Sequence, residues 1–219
     1  MMLRRTVPVT PFQQNCTLLA CPLTKQAAVI DPGGDVPCIE AALAEEGWQA
    51  EVILLTHAHV DHAAGAAELC RNTGAPVVGP GRGDDFWIEA LPEQARSFGL
   101  AAAETFTPSR WLEQGDRVSV GEEVLEVLHT PGHTPGHVVF FHRKDKLLVV
   151  GDVLFQGSIG RTDFPQGDYD TLIRSIEEQL LPLGDDVAFT CGHGPDSTLG
   201  AERTSNPFLL DPGRYRGMV

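Results

Sequence analysis

A chain of 219 residues with a formal charge of −14 presents an average field that repels phosphate backbones and anionic membranes, which argues against nucleic acid or a membrane as partner. The apolar fraction of 42% is ordinary for a globular protein and sufficient for one sizeable core. No apolar run approaches the roughly eighteen residues of a membrane helix, and five cysteines, Cys16, Cys21, Cys38, Cys70 and Cys191, without a C-x-x-C pair make a disulfide framework unexpected.

The basic start Met1-Met2-Leu3-Arg4-Arg5 is followed by Thr6-Val7-Pro8-Val9-Thr10-Pro11, which is not the apolar segment of a secretion signal, so a cytoplasmic setting is expected. Residues 3–9, 15–21 and 26–30 read as strands. Asp35 is placed to cap a helix that runs to Glu46 and ends at Gly47. A strand over 51–55, a helix over 62–73 and a short strand over 76–79 complete a second βαβ step. Residues 84–110 open with a helical stretch that Pro92, Gly99 and Pro108 interrupt, and are expected to flank the site. Short strands alternate with turns over 116–152. A helix over 168–181 has Leu172, Ile176 and Leu180 on one face, and a strand over 187–190 precedes a helix over 197–203. Residues 209–219 read as a mobile tail.

The chemistry concentrates in Thr56-His57-Ala58-His59-Val60-Asp61-His62, directly after Val52-Ile53-Leu54-Leu55. Neutral imidazole suits zinc, iron or manganese, and a carboxylate adds compensating charge. Side chains 57 and 59 share a side if the strand continues through them, while Asp61 and His62 open the next helix and point elsewhere. Four neighbouring residues can then serve two ions. A polar, solvated loop is the bland alternative, and the close spacing of an uncommon residue weighs against it. Further candidates are His133 within Thr130-Pro131-Gly132-His133-Thr134-Pro135-Gly136-His137, Asp152 after Leu147-Leu148-Val149-Val150, and His193 after Val187-Ala188-Phe189-Thr190. Each lies just past an apolar strand, where layered α/β folds assemble their sites.

The order His-x-His-x-Asp-His, then His, Asp and His, resembles the metallo-β-lactamase superfamily over residues 7–208. The likeness is greatest to the short bacterial glyoxalase II type, which lacks the extra C-terminal helical domain. It is carried by residues 8–16, Asp31-Pro32-Gly33-Gly34, Phe98-Gly99-Leu100, residues 130–141, Gly160-Arg161-Thr162-Asp163-Phe164-Pro165 and Asn206-Pro207-Phe208. The resemblance implies an αββα sandwich of two mixed β-sheets flanked by helices, as a single catalytic domain over 1–208 with a tail over 209–219. It implies one metal held by His57, His59 and His133, a second by Asp61, His62 and His193, and Asp152 as the bridge. Two divalent ions are expected, zinc first, with iron and manganese as alternatives. The implied reaction is hydrolysis of S-D-lactoylglutathione, a small glutathione thioester, to D-lactate and glutathione.

Asp61 is expected both to ligate and to orient the nucleophile. Arg161 stands where relatives place a glutathione-binding Lys, and its fork suits a carboxylate; a solvated pair with Asp163 is the alternative. Asp31 either orients an imidazole or serves its turn. Gly194-Pro195 replaces an aromatic residue of longer relatives and implies a more open pocket. His137 reads as packed or orienting, His129 and His142 as unrelated to metal, Cys191 as a small buried residue, and Phe86, Trp87 and Trp111 as packing residues, with the lesser alternative that one of them lines the pocket. The rival function is a mononuclear iron glutathione persulfide dioxygenase using His57, His133 and Asp152. Its relatives tend to carry Cys where this chain has His137. A non-enzymatic metal-binding module is disfavoured, since structural zinc prefers closed, Cys-rich shells.

Overall fold

In the computed structural model, which describes residues 1–216, the first third of the chain builds a five-stranded sheet ordered β1-β2-β3-β4-β5. Strands β1 (Leu3–Val9), β2 (Gln14–Ala20) and β3 (Gln26–Ile30) pair antiparallel. Helix α1 (Val36–Glu46) carries the chain back over the sheet, so β4 (Gln49–Leu54) runs parallel to β3. Helices α2 (Val60–Ala63) and α3 (Ala66–Thr73) then lead to β5 (Val77–Val78), parallel to β4. After α4 (Asp85–Glu89) and α5 (Leu91–Phe98), a second sheet forms from β6 (Arg117–Val120), β7 (Glu123–His129), β8 (Val138–His142) and β9 (Leu147–Val149). A small hairpin, β10 (Leu154–Phe155) and β11 (Ser158–Ile159), and helix α6 (Tyr169–Ser175) separate these from β12 (Ala188–Thr190) and β13 (Ser197–Thr198). The order is β13-β12-β9-β8-β7-β6, with β12 parallel to β9 and the other pairs antiparallel. Helices α7 (Leu199–Ser205), α8 (Pro207–Leu210) and α9 (Pro212–Tyr215) close the described chain.

Alternation along the strands supplies three apolar layers. Leu19, Ile30 and Leu54 meet Leu125, Val127 and Phe140 between the sheets. Their neighbours Leu18, Val29 and Ile53 face outward onto Ile39 and Leu43 of α1 and Leu69 of α3. On the other side, Val139, Phe141 and Phe189 pack against Leu172 of α6 and Leu199 of α7. The result is the expected αββα sandwich of two mixed β-sheets.

Some local expectations change. Asp35 precedes α1 but gives no cap; with φ 48° it turns its carboxylate to the Thr10 N–H at 2.7 Å. The helix expected over 62–73 is broken at Gly65, where a β-carbon would fall 2.5 Å from the Pro32 carbonyl oxygen, so helix and loop approach more closely than any other residue permits. Pro92 starts α5 rather than breaking a helix, because the first turn has no use for its missing N–H. The stretch expected as a mobile tail is docked as far as residue 216. The Tyr169 hydroxyl donates to the Pro212 carbonyl at 2.9 Å, Arg216 pairs with Asp170 at 2.7 Å, and the rings of Phe208 and Tyr215 lie 4.5 Å apart. Residues 217–219 lie outside the described residues.

Candidate metal centre

The loops that follow the strands deliver the candidate ligands to one end of the sandwich. Strand β4 stops at Leu54, so His57 and His59 leave from a loop rather than a continued strand, yet their rings converge at 4.8 Å. His59 stands just before α2, placing Asp61 and His62 in that helix's first turn as expected. His133 comes from the loop between β7 and β8, Asp152 follows β9, and His193 follows β12.

The seven predicted ligands come together. Ligand atoms of His57, His59 and His133 lie within 4.8 Å of one another, as do those of Asp61, His62 and His193. Asp152 stands between the trios, Oδ1 at 3.4 Å from His62 Nε2, and Oδ2 at 3.8 Å from His133 Nε2 and 3.6 Å from His193 Nε2. The donor set fits cations. His57 Nε2, His59 Nε2, His62 Nε2 and Asp152 Oδ1 are buried without a hydrogen-bond partner, a condition that costs about 1–3 kcal/mol per group unless something binds there. Imidazoles with carboxylates form a site for zinc, iron or manganese.

The electrostatics differ between the trios. Burial pushes His57, His59 and His133 below the usual imidazole range. Burial also opposes charge on His62, but Asp152 and Asp61 outweigh it and hold that ring well above the usual value. At His193 burial is likewise overcome, by Asp61 at 3.1 Å and then Asp152. Asp152 is held well below the usual carboxylate range: burial works upward and the surrounding imidazoles, His62 foremost, more than offset it. The carboxylates therefore attract positive charge most strongly beside His62 and His193.

Neighbouring groups fix the rings. Asp31 is buried and takes the Thr56 N–H at 2.7 Å, the Thr56 hydroxyl at 2.6 Å and His62 Nδ1 at 3.0 Å, so its orienting role prevails over its turn role. His133 Nδ1 donates to the Arg161 carbonyl at 2.7 Å. His137 stacks on His57 and accepts the Asp152 N–H at 3.2 Å, supporting the centre without facing it as a ligand. Cys191 is buried, its thiol donating to the His193 carbonyl.

Sequence reasoning missed three supports. Asp84, which reads as an ordinary helix-start carboxylate, accepts from the Ala58 N–H at 3.0 Å, the Thr134 hydroxyl at 2.8 Å and the Gly136 N–H at 2.6 Å, joining the two loops that carry His57, His59 and His133. Burial pushes its carboxyl up to about 6. Asn15 donates to the carbonyls of Cys191 at 3.0 Å and Gly194 at 2.9 Å, anchoring the His193 loop. Gln94 accepts the Val60 N–H at 3.0 Å and donates to the Trp87 carbonyl at 2.9 Å. None carries a local signal, since each acts on at least one partner more than 30 residues away in sequence.

A cleft of about 220 Å³ opens over the centre. Its aromatic lining falls into two groups. Trp87 and Phe164 border His59, their rings at 4.7 and 4.9 Å from it, with the Arg161 guanidinium 4.5 Å above Phe164. Phe12 and Phe98 touch edge to face at 5.7 Å. Trp87 therefore lines the site instead of only filling the core. Phe86 packs on the core and Trp111 lies beneath Arg82, as packing residues do. His129 Nε2 donates to the Pro135 carbonyl at 2.9 Å, and His142 sits between Glu123 and Asp145, both outside the metal groups. Arg161 reaches the cleft, where its fork holds Asp163 at 2.9 and 2.8 Å.

The family model described as the metallo-beta-lactamase superfamily matches residues 9–193. The chain is 48% identical to hydroxyacylglutathione hydrolase GloC of Haemophilus influenzae over 93% of its own length and 96% of that protein. Among solved structures, BLEG-1 B3 metallo-beta-lactamase matches with a TM-score of 0.87 and 35% identity, covering 94% of this chain and 99% of that one. TTHA1623 in a di-iron-bound form matches with a TM-score of 0.85 and 38% identity, covering 94% of this chain and 100% of the other.

Proposed function

The chain belongs to the metallo-beta-lactamase superfamily, and we propose that it is a metal-dependent thioester hydrolase that converts S-D-lactoylglutathione to D-lactate and glutathione. The observation that carries the reading is the convergence of two ligand trios about Asp152 beneath a cleft, in a chain 48% identical to a protein named for hydroxyacylglutathione hydrolysis. His57, His59 and His133 would hold one divalent ion, Asp61, His62 and His193 the other, and Asp152 would bridge. Zinc is the first candidate, with iron and manganese suited by the same donors. When bound, such ions lower the pKa of water toward about 7 and polarise a carbonyl as Lewis acids.

The chain's own groups supply the rest. Asp61, beside His193 and on the cleft lining, orients the attacking water and accepts its hydrogen bond. Thiolate, whose conjugate acid has a pKa of about 8.5, departs without a protonated donor. Arg161 is the cation of the cleft lining, and exchange of Asp163 for a glutathione carboxylate would give it the substrate-holding role. The iron dioxygenase alternative needs only His57, His133 and Asp152; convergence of the second trio favours the two-metal hydrolase.

The test is turnover of S-D-lactoylglutathione by metal-loaded protein, with metals counted, beside Asp61→Ala. Loss of turnover with a metal retained supports the role of Asp61. One tightly held iron with oxygen uptake on glutathione persulfide and no thioester cleavage would overturn the reading.

A further inference from the structure

The polar side chains of the cleft lining are largely committed. His59, Asp61, His133, Asp152 and His193 belong to the metal groups or bridge them. Gln94 has its carbonyl oxygen on Val60 and its amide on Trp87. Arg161 has both arms on Asp163. What the lining offers freely is apolar surface, above all Phe12 and Phe98, which remain 43% and 51% exposed beside a buried metal centre and cover each other only through one edge contact.

These two rings stand on separate parts of the chain. Phe12 lies in the turn between β1 and β2, and Phe98 at the end of α5. Trp87, Phe164 and Arg161 form the other aromatic group. Resting on the thioester reading above, in which Arg161 and its aromatic neighbours hold the thiol portion, the Phe12 and Phe98 group is the part of the lining left for the acyl portion. A cleft of about 220 Å³ is below the roughly 300 Å³ at which pockets begin to enclose a whole drug-sized ligand. It therefore encloses the reacting end of the substrate and leaves the rest on the rim.

We infer that Phe12 and Phe98 are specificity-determining residues that grip an apolar acyl group, so that the substrate class extends from hydroxyacyl to longer, alkyl-bearing acyl thioesters. An apolar pocket discriminates by methylene count and only weakly against or for a hydroxyl. A fully buried methylene is worth about a fourfold change, and a half-exposed rim about twofold.

The experiment measures kcat/KM of the metal-loaded protein for lactoyl-, acetyl-, butyryl- and hexanoylglutathione, and the same series for Phe12→Ala and Phe98→Ala. Affinities for S-propyl-, S-butyl- and S-hexylglutathione, thioethers that resist hydrolysis, are measured by calorimetry as a second readout. The expected result is a rise of about twofold per methylene in both readouts, flattened in each variant, with unchanged thermal melting confirming that these exposed positions fold normally. Thioester cleavage with no chain-length dependence, or a variant that lowers every substrate by one common factor, overturns this inference and leaves the hydrolase reading standing. Absence of cleavage on all four thioesters overturns the hydrolase reading; alkyl-graded thioether binding would still uphold the rim as the apolar grip, and ungraded binding would overturn that too.

Discussion

Asp31 accepts a hydrogen bond from Nδ1 of His62 at 3.0 Å while the Thr56 hydroxyl donates to the same Oδ2 at 2.6 Å. Having given its hydrogen to Asp31, that hydroxyl can accept from Nδ1 of His57, 3.0 Å away. One carboxylate thereby sets the tautomer of a ring in each trio and leaves both Nε2 atoms free to ligate. Replacing Asp31 by Ala should weaken metal binding by about 10- to 100-fold, the usual cost of losing a partner of a ligating imidazole. Chelator competition on the purified variant measures it, and wild-type affinity would remove Asp31 from this role.

Asp84 ties the His57 and His59 loop to the His133 loop, so Asp84→Ala should loosen both together. Two buried N–H groups and a hydroxyl lose their acceptor, at about 1–3 kcal/mol for each group left unsatisfied. The pH dependence has a definite sign. Burial raises the folded-state carboxyl from 3.8 to about 6, so the folded protein binds this proton more tightly than the unfolded chain. The contribution of Asp84 to stability is therefore greatest below the unfolded value and declines as pH rises from 3.8 to about 6, by up to ~3 kcal/mol. Urea unfolding of metal-free wild type and variant at both ends of that window should show their difference narrowing toward neutral pH. A difference that widens toward neutral pH would refute the assignment.

Gly192 has no room for a side chain: a β-carbon there would sit 2.0 Å from Asp152 Oδ1 and 2.6 Å from His62 Cε1. Gly192→Ala should displace the proposed bridge and one ligand of the second trio. Misplacement of about 1 Å at a reacting centre can cost 100-fold in rate. The variant should fold, as judged by circular dichroism, yet lose most of its turnover and part of its metal. Retained turnover would show that Asp152 tolerates a different place.

The candidate cluster was legible because metal chemistry uses few residue types and strand ends gather them: the seven residues meet in one place, although His57 and His59 do so from a loop beyond β4. The layers were legible in strand alternation and in the resemblance. What escaped were groups whose importance lies in a distant partner. Asp84 serves Gly136 across 52 positions and Asn15 serves Gly194 across 179, separations over which local pattern carries no information. The tail escaped for a related reason, because Pro212 and Tyr215 read as chain-end residues until Tyr169 and Phe208 are seen beside them. Trp87 both packs and lines the cleft, and burial and lining look alike in a sequence.

In the metal-free protein the imidazoles of the two trios should take up protons in a fixed order as the solution is acidified. Asp152 and Asp61 raise His62 against its burial, and Asp61 raises His193, whereas burial keeps His57, His59 and His133 below 6.5. A ring beside a carboxylate keeps its proton to higher pH, and a ring buried without one gives it up sooner. Histidine side-chain NMR of the metal-free protein across a pH series should therefore show His62 and His193 protonating first, and His57, His59 and His133 only in more acid solution. Asp61→Ala, which removes the carboxylate 3.1 Å from His193, should move the His193 transition to lower pH. Five coincident transitions, or a His193 transition that Asp61→Ala leaves in place, would mean that the trios do not differ in the way their charges indicate.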